Sequence, residues 1–129
     1  MLRLWLVCGA VLGFVGVAAG SFGAHGLKPL LEANGQAANW ETAVRYCLFH
    51  ALALVLVGLC AGLPQAAAGR GVLNAAGWSF LVGTLIFSGC LAALCLTGVK
   101  ILGAIVPIGG TLLIAGWILL AIAALRLTP

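Results

Sequence analysis

Two pairs of chemically active residues are each separated by one helical turn. Tyr46 precedes His50 by four positions, and Glu41 precedes Arg45 by four. In a helix this spacing places both members of a pair on one face, where ring and imidazole can interact and a carboxylate can pair with a guanidinium. An imidazole can also move protons or bind a metal. His50 is therefore the first residue to consider for catalysis or transport.

A second histidine and five cysteines complete the candidate ligands. His25 stands in Gly20–Leu27, a glycine-rich segment whose amides, together with the imidazole, could hold an anion or a lipid head group. Capping of a helix end is the alternative for His25. The cysteines are odd in number and lack a C-x-x-C spacing, so we interpret them as small apolar residues. Two histidines supply too few ligands for a closed metal site. We predict no metal, no cofactor and no catalytic residue.

The charged residues divide the chain into four long uncharged stretches. Lys, Arg, Asp and Glu make up 6% of the 129 residues, against about 25% in ordinary globular domains. Residues 4–24, 46–69, 71–99 and 101–125 contain none of them. A bilayer core about 30 Å thick is crossed by about 20 apolar residues of helix, so each stretch can cross once. The sequence predicts an all-α integral membrane protein, a bundle of four membrane-spanning helices.

Composition excludes several other classes of protein. Hydrophobic residues make up 64% of the chain and the mean hydropathy is +1.28, which excludes a soluble enzyme and a disordered tail. The formal charge of +4 is spread singly over six basic residues, so we expect no nucleic-acid partner. Arg3 before an apolar run resembles a secretory signal. Residues 4–24, however, exceed the usual signal core of about 7 to 15 residues, so we expect the first stretch to remain as a span.

Five glycines recur along the first span at intervals of three or four residues, which places them on one helical stripe. Small residues at this spacing let the backbone of a second membrane helix approach closely. We predict that this stripe packs against another helix. Its members are Gly9, Gly13, Gly16, Gly20 and Gly23.

The polar connection between the first two spans predicts a short amphipathic helix on the membrane surface. Pro29 suits its first turn, and Asn34 with Gly35 suits its end. Asn39 is expected to cap the second span. Glu41 then lies in the first turn, where the helix dipole favours a negative charge.

Proline sets the later boundaries in this prediction. Pro64 follows the end of the second span, and Pro107 is expected to begin the fourth, because proline is costly inside a helix. Residues 98–106 then form an apolar connection that dips into the interface or packs inside the bundle. The predicted spans are residues 4–24, 40–63, 74–97 and 107–126.

His50 is predicted to share a layer with residues from the other three spans. Counted inward from the same membrane face, five residues reach its depth: Gly16, Ser88, Gly89, Gly116 and Trp117. We expect the glycines to make room for the imidazole and the indole, with Ser88 or Tyr46 as the hydrogen-bond partner of His50. A structural histidine is favoured over a catalytic or transport residue.

Four aromatic residues near the ends of the spans are expected to form belts at the two membrane surfaces. Trp5 and Trp78 fall near one face, and Trp40 with Tyr46 near the other. Tryptophan and tyrosine are enriched at membrane–water interfaces because one end of each side chain is polar.

Five short motifs, taken in order and spacing, carry a family resemblance: Gly20 to Leu27, Tyr46 with His50-Ala51-Leu52, Phe87-Ser88-Gly89, Pro107-Ile108-Gly109-Gly110, and Gly116-Trp117. They resemble the small four-pass membrane family known as domain of unknown function 423, which has relatives in bacteria and in animal mitochondria. The resemblance covers nearly the whole chain. It implies four passes and an inner-membrane location, and no established biochemical activity. The family pattern continues with Ser-Leu-Tyr where this chain has Cys90-Leu91-Ala92, so a role resting on those residues does not carry over.

Together these patterns favour a non-enzymatic interaction, assembly or lipid-associated module of the cell inner membrane. Membrane lipid is the expected partner, and a homo-oligomer is left open. The alternative is a small oligomeric channel or transporter, although both glutamates lie in or beside the polar connection rather than inside a span. Arg3, Arg70 and Arg126 face two or three basic residues on the opposite side. From this small bias we expect cytoplasmic termini.

Overall fold

The computed structural model describes residues 1–127. Four of its helices are long and apolar enough to cross a membrane, and the described residues contain no strand. The predicted fold class, an all-α membrane protein with four spanning helices and one short helix between the first two, is confirmed. The helices are α1 Leu2–Ala24, α2 Lys28–Ala33, α3 Ala37–Ala61, α4 Arg70–Thr97 and α5 Ile101–Ala124, with a 3₁₀ turn at Pro64–Gly69 before α4.

Helices that follow one another along the chain are also neighbours in space. α1 packs along α3, α3 along α4, and α4 along α5, each pair antiparallel. α3 and α4 therefore form the centre of the bundle, and α1 and α5 flank it and bury less of their apolar surface. This row of four helices leaves α1 and α5 each with one face toward the bilayer.

The largest buried side chains gather on one half of the bundle. Trp5, Leu54, Val57 and Phe80 are fully enclosed and belong to one apolar cluster that draws on α1, α3 and α4. Leu113 of α5 completes this cluster. Dispersion contacts of this kind hold membrane helices together, because lipid removes the hydrophobic contrast that drives packing in water.

The fourth spanning helix begins six residues before the predicted start. α5 starts at Ile101, and Pro107 lies inside it. The expectation of an apolar connection at residues 98–106 is wrong: the turn is confined to the residues around Gly98, whose φ is +71°. Apolar residues at membrane depth must satisfy their own backbone hydrogen bonds, which favours continuing the helix even at the cost of the proline.

The start of the second spanning helix also differs from the prediction. α3 begins at Ala37, after Gln36, and Asn39 is already inside it. The Asn39 side chain does not cap the helix; its Nδ2 donates to Gln36 Oε1 over 2.8 Å. Glu41 consequently lies in the second turn, because the first turn contains no acidic residue. The third span, predicted from residue 74, begins at Arg70.

The short helix α2 joins the first two spans, with Pro29 in its first turn. Its Leu31 is buried together with Trp40 and Cys95, so α2 is anchored to the ends of α3 and α4. Gly35 adopts φ +64°, a conformation that side chains other than glycine rarely take, and reverses the chain toward α3.

Candidate functional site

The glycine stripe of α1 lies against α3 over most of the length of both helices. A Cβ atom at Gly9 would lie 2.7 Å from the Ala51 carbonyl oxygen, and one at Gly16 would lie 2.7 Å from a Leu48 methyl carbon. Contact is looser in between. The five glycines and their neighbours pair as follows: Gly9 with Ala51 and Val55, Gly13 with Ala51, Gly16 with Leu48 and Cys47, Gly20 with Val44, and Gly23 with Trp40.

His50 is held by hydrogen bonds at both ring nitrogens. Its Nδ1 lies 2.7 Å from the Tyr46 carbonyl oxygen, and its Nε2 lies 3.2 Å from Nε1 of Trp117 on α5. A carbonyl oxygen only accepts and an indole N–H only donates, so this arrangement requires a neutral imidazole with its proton on Nδ1. His50 thus joins α3 to α5, and neither nitrogen is left for a substrate.

Aromatic rings surround this imidazole. The Phe80 ring lies 5.6 Å from the His50 ring, and the Trp117 ring lies 6.1 Å away, centroid to centroid. Tyr46 stacks on Phe87 at 4.4 Å. Aromatic pairs at these separations add to the stability supplied by area burial alone.

The predicted layer around His50 is only partly present. Trp117 is there, and Tyr46, one of the two expected hydrogen-bond partners of His50, accepts through its main-chain carbonyl oxygen. The second partner is the Trp117 indole, and Ser88 is not bonded to the imidazole. Gly116 makes room for the Phe80 ring rather than for the imidazole or the indole. Gly89 has no packing partner on its Cβ side: no atom of another element lies within 4 Å of the place where its Cβ would be. The expectation that Gly89 packs is wrong, because it faces an opening.

A groove of about 690 Å³ runs between α3 and α5, and we call it the His50 groove. Arg45 stands at its outer end and is paired with Glu41 over 2.7 Å, as the spacing of these residues predicts. The floor is aromatic and aliphatic. Its lining residues are Arg45, Tyr46, Phe49, His50, Phe87, Gly110, Leu113, Ile114 and Trp117.

A second cavity of about 360 Å³ lies where α2 meets the end of α1 and the start of α3, and we call it the interface cavity. Charged residues border it on α2 and α3, whereas its deeper walls are apolar. His25 follows the last residue of α1, is exposed, and does not line this cavity. The lining residues are Gly20, Gly23, Ala24, Lys28, Leu31, Glu32, Ala37, Trp40, Glu41 and Val44.

A third cavity of about 150 Å³ lies between α1 and α4 with α3 as its floor, and we call it the Ser88 cleft. Ser88 is buried, and its Oγ has no hydrogen-bond partner among the described residues. The lining residues are Leu12, Val15, Gly16, Ala19, Trp40, Ala43, Val44, Cys47, Thr84, Leu85, Ser88, Gly89 and Ala92.

Two tryptophans, expected from the sequence to form aromatic belts, instead link helices inside the bundle. Trp5 is fully buried, and its Nε1 donates to Asn74 Oδ1 over 3.0 Å, which ties α1 to α4. Trp40 is also buried, and its Nε1 donates to the Ala19 carbonyl oxygen over 2.9 Å. Neither belongs to an exposed aromatic belt. One signal was available: Asn74 is a polar residue near the end of a span, at the depth of Trp5, and needs a partner.

The histidines and cysteines do not converge on one point. Within residues 1–127, no three of the His, Cys, Asp and Glu side chains lie close enough together to hold a metal ion. The five cysteines are free thiols, and those of Cys47 and Cys95 are buried. The buried polar side chains of His50, Thr84 and Ser88 therefore serve helix contacts or border a cavity.

Four antiparallel apolar helices, an amphipathic helix between the first two, and glycine-mediated contacts define a small multi-pass membrane protein. Residues 19–110 match the family described as "Protein of unknown function (DUF423)", and the chain belongs to that family. The resemblance seen in the sequence motifs is confirmed.

Similar bacterial proteins extend over almost the whole chain. A "UPF0382 membrane protein" of Staphylococcus haemolyticus is 40% identical over 97% of this chain and 98% of the relative. A "UPF0382 membrane protein" of Bacillus subtilis is 37% identical over the same shares. No solved structure matches the chain. No enzymatic or other specific activity is established for the family.

Proposed function

We propose that this protein is a non-enzymatic, lipid-associated module of the cell inner membrane, and that the interface cavity receives the head group of a zwitterionic phospholipid. The observation that carries the proposal is the lining of this cavity, which has charged side chains on α2 and near the start of α3 and apolar residues on its other walls. A phospholipid has the same division between head group and acyl chain.

The charges around the cavity match a zwitterion better than an anion. Lys28, Glu32 and Glu41 line the cavity; Lys28 lies 3.9 Å from Glu32, and Glu41 lies 2.7 Å from Arg45, which is outside the lining, so the cavity carries both signs of charge. All four side chains are more than half exposed. Exposed ion pairs of this kind contribute about 0 to 1 kcal/mol, so a head group can replace them at little cost. Lys28 is placed to meet the phosphate, and the two carboxylates to meet the ammonium group.

The deeper walls suit the beginning of an acyl chain. Gly20 and Gly23 of α1 and Val44 of α3 border the cavity below its charged rim, and buried Leu31 and Trp40 close its inner side. The Trp40 N–H is already bonded to the main chain of α1. The inner wall therefore offers mainly apolar contact, which aliphatic carbon satisfies.

Phospholipid retention by the purified protein tests the proposal. Native mass spectrometry would compare phosphatidylethanolamine with phosphatidylglycerol of the same acyl chains, for the wild type, for the Glu32→Gln/Glu41→Gln double variant and for Arg70→Gln. We expect the wild type to retain phosphatidylethanolamine preferentially and the double variant to lose that preference. Arg70→Gln, an exposed change at the opposite membrane face, should keep it. Equal retention of both lipids by the wild type would refute the proposal.

The polar groups inside the bundle form hydrogen bonds within the protein, which supports a function without catalysis or ion conduction. Both His50 nitrogens are bonded, and the Thr84 hydroxyl donates to the Phe80 carbonyl oxygen over 2.7 Å. The two His50 nitrogens, bonded in this way, have no lone pair or proton free for a substrate or a permeating ion, and the Thr84 proton is likewise used. Proteoliposomes should accordingly show no protein-dependent ion flux, and a flux that disappears in His50→Leu would favour the channel alternative.

The proposed orientation places both ends of the chain in the cytoplasm. Arg3 and Arg126 flank the outer ends of α1 and α5, and Arg70 begins α4 on the same side, whereas the opposite connections contribute Lys28 and Lys100. Arg45, eight residues into α3, brings the second side to two or three basic residues, so the proposed orientation follows from at most a small excess on the first side. Carboxy-terminal fusions to green fluorescent protein and to alkaline phosphatase would test it, because only the former is active in the cytoplasm and only the latter outside it.

A further inference from the structure

The Ser88 cleft contains a hydroxyl group that the protein itself does not use. Ser88 is 8% exposed, and its Oγ is inaccessible and has no hydrogen-bond partner among the described residues. A buried polar group without a partner is unfavourable and is rare in native structures. Ser88 lies on the wall of a cleft, so a small rotation of its side chain would present the hydroxyl to a molecule bound there.

The other polar side chains of the cleft all have partners within the chain. The Thr84 hydroxyl bonds to its own helix, the Cys47 thiol donates to the Leu12 carbonyl oxygen over 3.4 Å, and the Trp40 indole donates to Ala19. Hydroxyl groups in membrane helices commonly bond to the carbonyl of the preceding turn. Ser88 does not, although it lies one turn beyond Thr84. The wall of the cleft therefore contains one donor without a partner, which a rotation of the Ser88 side chain would expose in otherwise apolar surroundings.

The depth of Ser88 restricts which molecules can supply an acceptor. It lies nine residues before the end of α4 at Thr97, which is about 13 Å along the helix. The head-group and interfacial layer occupies only about 5 to 8 Å of each side of a bilayer. Ser88 therefore lies within the hydrocarbon layer, below the ester carbonyls of phospholipids, and an ordinary acyl chain would leave its hydroxyl unpaired.

The cleft is wide enough for one ring and is open to lipid. Its volume of about 150 Å³ equals that of an engineered protein cavity that binds benzene. Val15, Leu85 and Gly89 form an exposed rim, and the missing side chain of Gly89 leaves open space beside Ser88. A ring can enter between α1 and α4 while a long tail remains in the bilayer.

We propose that the Ser88 cleft binds a membrane-soluble molecule of the quinone class, whose ring carbonyl accepts a hydrogen bond from the Ser88 hydroxyl and whose apolar tail leaves between α1 and α4. A ring that carries a carbonyl group and partitions into hydrocarbon satisfies the width, the depth and the free donor together. The proposal concerns binding alone. It does not rest on the phospholipid proposed for the interface cavity, because it uses a different cavity.

Quenching of tryptophan fluorescence by a fully substituted decyl benzoquinone tests this inference, since Trp40 lines the cleft. The protein would be reconstituted in nanodiscs as the wild type, Ser88→Ala, Gly89→Leu and Gly71→Leu. We expect saturable quenching in the wild type and about three- to tenfold weaker binding in Ser88→Ala, the effect of one lost hydrogen bond. Gly89→Leu should abolish the saturable component, because its side chain would occupy the cleft.

Gly71→Leu is the matched control. A Cβ at Gly71, as at Gly89, would meet no atom within 4 Å, and Gly71 lies in the first turn of α4, outside the cleft. It should bind the quinone as the wild type does. Decylbenzene, with a ring and tail but no carbonyl, should compete poorly. Unchanged binding in Ser88→Ala, or equal competition by decylbenzene, would overturn the proposal and leave a groove for acyl chains only.

Discussion

The His50 groove and the Ser88 cleft both border α3 and α4, the two central helices, but their polar groups differ in hydrogen bonding. In the groove, His50 is bonded at both nitrogens and connects α3 with α5. In the cleft, the Ser88 hydroxyl is buried and unpaired. The imidazole, which has the richer chemistry, is therefore bonded within the fold, whereas the simpler hydroxyl of Ser88 has no partner among the described residues.

The type of a residue therefore does not determine whether its side chain has a hydrogen-bond donor or acceptor left unpaired. An imidazole inside a membrane is costly to bury, and the indole of Trp117 together with the Tyr46 carbonyl oxygen offsets that cost. A hydroxyl is less costly to bury, so the fold can tolerate one without a partner.

The largest effect is expected where the backbones of α4 and α5 are in direct contact. In Gly109→Ala, the new Cβ would lie 2.5 Å from the Phe87 nitrogen and 2.8 Å from the Gly83 carbonyl oxygen. Neither atom can move without displacing α4, so we expect a loss of about 3 kcal/mol or more. Unfolding by sodium dodecyl sulfate in mixed micelles, followed by far-UV circular dichroism, would measure it.

The neighbouring position provides the control for that change. In Gly110→Ala, the new Cβ would lie 3.7 Å from the Phe87 ring, an ordinary van der Waals contact. Its stability should remain close to that of the wild type. If the two variants were equally stable, the described contact between α4 and α5 would be wrong.

A moderate effect is expected from breaking the link between His50 and Trp117. His50→Leu leaves the Trp117 N–H without its acceptor, and Trp117→Phe leaves His50 Nε2 without its donor. Each should cost about 1 to 2 kcal/mol. The double variant should cost less than the sum of the two, by about 0.6 to 1.7 kcal/mol, the average and the maximum coupling measured for hydrogen bonds between membrane helices. Additive losses would show that the pair is not coupled and would remove the contrast with Ser88.

A smaller effect is expected at the contact between α1 and α4. Trp5→Phe keeps a buried ring but removes the N–H that reaches Asn74. We expect a loss of about 1 kcal/mol in the same unfolding assay. Trp78→Phe is the control, because Trp78 is about half exposed and stands edge-on to Trp5. A larger loss in Trp78→Phe than in Trp5→Phe would contradict the assignment of the link to Trp5.

The smallest effect is expected at Ser88 itself. Ser88→Ala removes a hydroxyl without a partner, so the free energy of unfolding in the absence of ligand should change by no more than about 0.5 kcal/mol or should rise. Thr84→Val, one turn away, removes a hydroxyl that bonds to Phe80 and should cost about 1 kcal/mol. A loss above 1 kcal/mol in Ser88→Ala would mean that the hydroxyl already has a structural partner.

Much of the fold follows from the spacing of charges, and some boundaries do not. Four uncharged stretches between charged residues predict four spans, and Pro29 with Gly35 correctly predicts the short helix α2. Pro107 misleads because the rule that proline begins a helix comes mainly from proteins in water. Inside a bilayer an interrupted helix would leave backbone groups unsatisfied, and α5 continues through the proline.

The candidate sites were predictable in their residues but not in their contacts. The glycine stripe of α1 was evident because glycines recur at intervals of three and four residues. His50 was evident because it is an ionisable residue in an apolar stretch. The free hydroxyl of Ser88 was not evident, since the same residue was expected to bond to His50. Depth along a helix can be counted from sequence. Rotation about its axis relative to a neighbour cannot, and that rotation separates Ser88 from the imidazole.

By itself the sequence determines that this chain crosses a bilayer four times and which residues lie at which depth. It also determines which face of α1 carries the glycines that let another helix approach closely. These properties depend only on local hydropathy and helical period. The tertiary structure alone decides that α1 pairs with α3, that Trp117 meets His50, and that Gly89 faces an opening. Hydrocarbon favours no particular pairing of apolar helices, so the partners are selected by the fit of glycines, rings and hydrogen bonds between them.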